Sequence, residues 1–216
     1  MIEHVVREGE HLSRIAHAYG HRKIARLWDH PDNASLKSER LNPHVLNPGD
    51  VVAVPEIEPK NRNAVTDQLH RFQLAGEQLQ LGLKLIGPAG ILVGTACEVQ
   101  VGLDNQQLTA DGDGQVFRPV AAEDEKGRVV IHLEEPDVTM SLDLDLVLLL
   151  GHLRPVKTRE GQIARLLNLG YLLSEDDEDE ESFKSAVEEF QCDNKLQIDG
   201  KCGPKTQTKL LSVHGS

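Results

Sequence analysis

Apolar positions along the chain change their period three times. Near the N-terminus a short strand at Val5-Val6 is followed by Leu12, Ile15 and Ala16 at helical spacing, closed by Gly20. A second helical stretch is predicted from about Lys23 to Trp28. A polar loop then leads through Leu41-Asn42-Pro43 and Leu46-Asn47-Pro48-Gly49-Asp50 to the strand Val51–Val54. From Leu79 the period becomes two: Leu79, Leu81, Leu83 and Leu85 alternate with Gln80, Gly82 and Lys84, the pattern of a half-buried strand. Further strands are predicted at 96–101, 115–120, 128–133 and 139–150, with turns at Gly87–Gly90, Asp111–Gly114 and Lys126-Gly127. Strands this short, at this spacing, predict a small antiparallel sandwich. Helical spacing returns at Ile163, Leu166 and Leu167, and again at Phe183, Ala186, Val187 and Phe190. A last helix starts at Gly203-Pro204, where a proline's missing N–H costs nothing. The expected fold class is α+β multidomain, divided into residues 1–57, a polar linker at 58–76, a sandwich at 77–152 and a helical module at 153–216.

Charge narrows the partners. The 216 residues carry a formal charge of −12, and aromatics make up 3%. Nucleic-acid binding calls for a basic face, so neither nucleic acid nor an anionic membrane surface is expected as a partner. The imbalance is uneven: eight acids face seven bases in 1–57, fifteen face eight in 58–155, and twelve face eight in 156–216. The last segment contains seven consecutive acids, Glu175–Glu181. They read as a solvated loop that places negative charge at the start of the following helix, where the macrodipole favours it. The N-terminus lacks the apolar run of a signal peptide, and the longest apolar run, Leu146 to Leu150, is too short to span a membrane. Synthesis and retention in the cytoplasm are expected.

Chemistry-bearing motifs are scarce. No HExxH, GxSxG, P-loop or GxGxxG occurs. Outside the first segment only His70, His132, His152 and His214 remain, each isolated, short of the three ligands that a catalytic zinc site requires. Cys97 and His132 are the one Cys–His pair the sandwich could draw together, and Cys97 in a strand reads better as a small buried hydrophobe. The turn acids Asp111 and Asp113 read as turn chemistry, with Ca²⁺ binding as the alternative. Three cysteines do not make a disulfide framework. No catalytic residue, metal or cofactor is expected.

Two stretches resemble known families. Phe190-Gln191, Leu196, Asp199-Gly200 and Gly203-x-x-Thr206, preceded by Gly161–Tyr171 with its closing Leu169-Gly170-Tyr171, resemble the three-helix peptidoglycan-binding domain. That resemblance implies a wall-recognition module, with Phe190, Gln191, Leu196, Asp199, Gly200, Gly203 and Thr206 as ligand-binding candidates. At the other end, a strand, Gly9-Glu10-x-Leu12, a helix, Asn42-Pro43, Pro48-Gly49-Asp50 and a closing strand look like a LysM domain, a βααβ unit that binds N-acetylglucosamine polymers. It implies a shallow groove between Gly9, Glu10, Leu12 and Ser13 on one side and Asn42, Pro43, Leu46 and Pro48 on the other. Gly9 and Pro48-Gly49 serve equally as turn residues, and Leu12 equally as core. His11 stands where the family commonly has threonine, and the segment Asp29–Arg40 is longer than usual.

Leu108–Val116 is similar to a hairpin of transthyretin-like sandwiches. The order of modules, with Gly151-His152-Leu153-Arg154-Pro155-Val156 at the last junction and Trp28–Asn33 in the first module, resembles leaderless bacterial proteins of type VI and related contractile injection systems. It implies a non-catalytic adaptor carried to the periplasm or the outside, with a spike, effector or hydrolase protein as partner. A phage-type wall-targeting subunit serving a separate hydrolase, and a purely structural spike or baseplate docking protein, are the alternatives. Because acids flank the last module's second helix, glycan is expected in the first module's groove and protein contact at the last.

Overall fold

A computed structural model describes residues 1–57, 63, 65–69, 78–87, 90–134, 141–172 and 179–215. Most of the expected linker, the acids Glu175–Glu178, His70 and the turn residues Pro88-Ala89 lie outside the described residues. The fold is α+β, in three units with separate cores.

In the first unit, strands β1 (Ile2–Val5) and β2 (Val51–Val54) pair antiparallel, Ile2 opposite Val54 and Val5 opposite Val51. Between them run α1 (Leu12–Ala18), α2 (Ala25–Trp28) and α3 (Ala34–Glu39), with a 3₁₀ turn at Pro31–Asn33 before α3. Leu12, Ile15, Leu27, Val52 and Val54 form the core, each at 1% exposure or less. The turn and α3 fall where a polar loop was expected. Leu36 is the one buried residue of α3, so no apolar period advertised it. Asn33, buried at 2%, fixes the segment: its Nδ2 donates to Leu27 O and Ala53 O, both at 2.8 Å, and its Oδ1 accepts from Ala53 N at 2.7 Å.

The sandwich sets β3 (Leu79–Lys84) and β8 (Gln115–Val120), paired antiparallel, over a four-stranded sheet. The larger sheet has the order β10 (Ser141–Leu149), β9 (Lys126–Glu134), β6 (Ala96–Val101), β7 (Asp104–Thr109). Two short strands, β4 (Ile86–Gly87) and β5 (Gly90–Ile91), flank the expected turn. Cys97, Val99, Val116, Val129 and Ile131 share the core. The edge strand β7 escaped the pattern because Asp104–Gln107 are all exposed and carry no apolar alternation. Buried Arg118 of β8 reaches across to it, donating to the Asp104 carboxylate at 2.8 Å.

The last unit is a three-helix bundle of α4 (Arg159–Asn168), α5 (Glu180–Asp193) and α6 (Pro204–His214) around Ile163, Leu166, Phe183, Val187, Phe190 and Leu210. Helix starts and stops agree with the sequence signals. Thr158 caps α4, its Oγ1 accepting from Gly161 N at 3.1 Å, and Asn194 ends α5. Gly203 leads into α6 with Pro204 at its first turn. Asp179 caps α5: one carboxylate oxygen accepts from the N–H groups of Glu181 and Ser182, each at 2.9 Å, and the acids that follow sit at the helix's positive end. Among the described residues no helix is long and apolar enough to cross a membrane.

Candidate functional site

The loop between α5 and α6 is built around one side chain. Gln191 is 1% exposed. Its Oε1 accepts from Asp199 N at 2.9 Å and Gly200 N at 3.1 Å. Its Nε2 lies 2.8 Å from Asp199 Oδ1, 3.0 Å from Lys201 O and 3.0 Å from Thr206 Oγ1. Asp199 in turn accepts from Lys201 N at 2.9 Å, and the Gln191 amide holds its carboxyl below the usual carboxylate range. Gly200 adopts φ +65°, and a side chain there would collide with Lys184, so this turn requires glycine. Phe190 is fully buried and meets Tyr171 edge-on at 5.4 Å, while Leu196 packs on the same core. Four of the seven candidates in this module, Gln191, Asp199, Gly200 and Thr206, therefore join in one clasp, with Phe190 and Leu196 in the core beside it. Phe190, Gln191 and Thr206 have at most 5% of their surface exposed, so what the module presents outward is the loop they shape.

The described acids of the run, Asp179, Glu180 and Glu181, sit at the other end of α5. Ten residues separate Glu181 from Gln191, a rise of about 15 Å. That distance is nearly two screening lengths of about 8 Å at physiological ionic strength. The acids of the α5 cap, Asp179–Glu181, are therefore largely screened at the clasp.

At the first unit the two loops assigned to a groove are joined: Leu12 N donates to Pro43 O at 3.1 Å. Leu12 and Leu46 are core, at 0% and 4% exposure, and Ser13 is nearly buried with its Oγ 3.5 Å from His44 Nδ1. Glu10 turns back into its own loop, its carboxylate 2.8 Å from both His4 Nε2 and Arg7 N. Burial works against ionisation of Glu10, yet the His4 contact and the Arg7 N–H hold its carboxyl below its ordinary pKa. Asn42 Oδ1 accepts from His44 N at 2.9 Å, and Pro43 and Pro48 are half-buried. His11 takes over a threonine-like role: its Nδ1 accepts from Arg14 N at 3.4 Å and caps α1. Burial drives its pKa down to about 4, with His44 and Arg14 adding to the shift.

The contacts that sequence reasoning missed are those between units. Gly9 is buried under the His152 ring, and Glu8 pairs with Arg154 at 2.7 Å. Arg14 pairs with Glu125, and His17 lies 3.8 Å from Glu123, which ties α1 to the sandwich. The junction hexapeptide and the histidine-rich first segment were the available signals.

The remaining candidates do not assemble a reactive site. Cys97 faces the core opposite Ile131, while the next residue, His132, points to the outer face and contacts Asp143 at 2.8 Å. Asp111 Oδ1 accepts from Asp113 N and Gln115 N at 2.9 and 2.8 Å, so it closes its own turn. All three cysteines are free, and burial raises the Cys202 thiol pKa to about 11. Among the described residues no group of three or more His, Cys, Asp and Glu could hold a metal ion.

Comparison with known families places the clasp. Residues 163–210, from α4 to α6, match the family described as "Putative peptidoglycan binding domain". The last unit is thus a helical domain of the peptidoglycan-binding type. No curated protein and no solved structure matches the chain.

Proposed function

We propose that this chain is a non-catalytic peptidoglycan-binding adaptor of a contractile injection apparatus of the type VI kind. The observation that carries the wall-binding part is the Gln191 clasp, which sets the α5–α6 loop within a module matching the peptidoglycan-binding family. The first unit serves as a LysM-like module with affinity for N-acetylglucosamine polymers. Its β-α-α-α-β order, with the strands paired and the Gly9 and Asn42-Pro43 loops side by side, supports that reading. The adaptor part rests on the order of modules. A spike or effector protein is the partner, and the apparatus is the route from the cytoplasm to the wall.

The test uses the full chain in two arms. Pull-down on purified insoluble peptidoglycan tests the ligand, and co-purification with spike and effector proteins of a type VI apparatus tests the adaptor role. Retention on peptidoglycan together with capture of a spike or effector is expected. Absence of both refutes the proposal. Capture of a spike without wall binding replaces it with a docking-only role.

A further inference from the structure

The first unit's groove is not open in the full chain, because the junction between sandwich and bundle lies on it. Gly9 and Gly151 meet face to face, at φ +76° and +80°. A Cβ on Gly151 would fall 2.7 Å from Gly9 O and 3.1 Å from the His11 ring, and a Cβ on Gly9 would fall 2.9 Å from His152 Nε2. Neither position has room for any other residue, so this contact needs two glycines. Beside it the Glu8 carboxylate takes Arg154 at 2.7 Å and has His152 Nδ1 at 3.7 Å.

The second wall is covered as well. Asn42 and Val45 face Pro155, Val156 and Arg165 across a cavity of about 240 Å³. Val45 and Val156 are each 8% exposed, so the cover reaches the apolar floor. Arg165 holds the covering segment in place, its guanidinium donating to Arg154 O at 2.8 Å and Gly161 O at 2.6 Å.

We propose that Gly151–Val156 is an intramolecular latch over the first unit's glycan groove. In the latched chain a glycan strand cannot reach Gly9 without displacing His152. The groove becomes available when the bundle is drawn away, as when it engages the wall or a partner. The ion pair of the latch is partly exposed, so it contributes little. The close glycine packing supplies the rest, which makes the latch one that a bound bundle can open. This inference rests on reading the first unit as a glycan-binding module.

The test keeps every groove residue native, and its single variants alter only the junction. Full-length wild type, Arg154→Ala and Gly151→Ala are compared for binding of soluble N-acetylglucosamine tetramer by titration calorimetry, and for amide exchange at Gly9–Ser13. The expected result is faster exchange at 9–13 in both variants, with glycan affinity raised on the order of fivefold in Gly151→Ala, the effect of about 1 kcal/mol, and by less in Arg154→Ala. Restored charge pairing in the double variant E8R/R154E should recover slow exchange and weak binding. Unchanged exchange and unchanged binding in both single variants overturn the latch. Faster exchange without any gain in binding leaves the latch standing and overturns the glycan reading of the groove.

Discussion

His11 shows how much one buried ring can decide. Its neutral Nδ1 accepts the α1 cap hydrogen bond, which a protonated ring cannot do. With a folded pKa of about 4 against an ordinary 6.5, the unfolded chain binds the extra proton between those values. Stability is therefore complete above about pH 6.5 and is lost as pH falls toward 4. The full effect is up to about 3 kcal/mol for this side chain. A melt followed by fluorescence of Trp28, the chain's sole tryptophan, should shift down from pH 7 to pH 4.5, and His11→Gln should flatten that dependence.

Asn33 and Gln191 make stronger demands. Asn33→Ala leaves buried backbone groups of Leu27 and Ala53 without partners, and a loss on the order of 3 kcal/mol is expected in the same Trp28 signal. Gln191→Leu conserves volume but removes the acceptor for two N–H groups, again on the order of 3 kcal/mol. Amide exchange at Asp199–Lys201 should accelerate while that of β6 and β9 stays unchanged. The sequence marked Gln191 as a candidate. What it did not show is that the side chain faces inward, because a residue one position from buried Phe190 can be read as either face of the helix end.

Among the elements, α5 depends most visibly on its cap. Asp179→Ala should lower the melting temperature of the bundle, read from helical circular dichroism on heating, with no change in the Trp28 transition. Elements with a strong period were legible: α1, the β3 alternation, and all three helices of the bundle with their Pro and Gly punctuation. Those without one were not. The helix α3 buries only Leu36, and the strand β7 lies at a sheet edge with Asp104–Gln107 in solvent, so neither writes an apolar repeat into the chain. Both are held by partners distant in sequence, Asn33 with β2 and Arg118 with Asp104.

At the scale of the whole molecule, nothing in the sequence shows how the units sit on one another. The Gly9–Gly151 contact joins residues far apart in the chain, and turn-type glycines carry no mark of what they face. Glu8 and Arg154 read as ordinary surface charges until the fold pairs them. The length of α5 likewise separates the cap acids Asp179–Glu181 from the clasp at its other end.

The central claim is that the chain holds peptidoglycan, and co-sedimentation of the full-length protein with purified sacculi at physiological salt tests it most directly. The account predicts that wild type sediments and that Gln191→Leu, with its clasp broken, sediments less. Folded wild-type protein that stays in the supernatant, or sedimentation indifferent to Gln191, would contradict it.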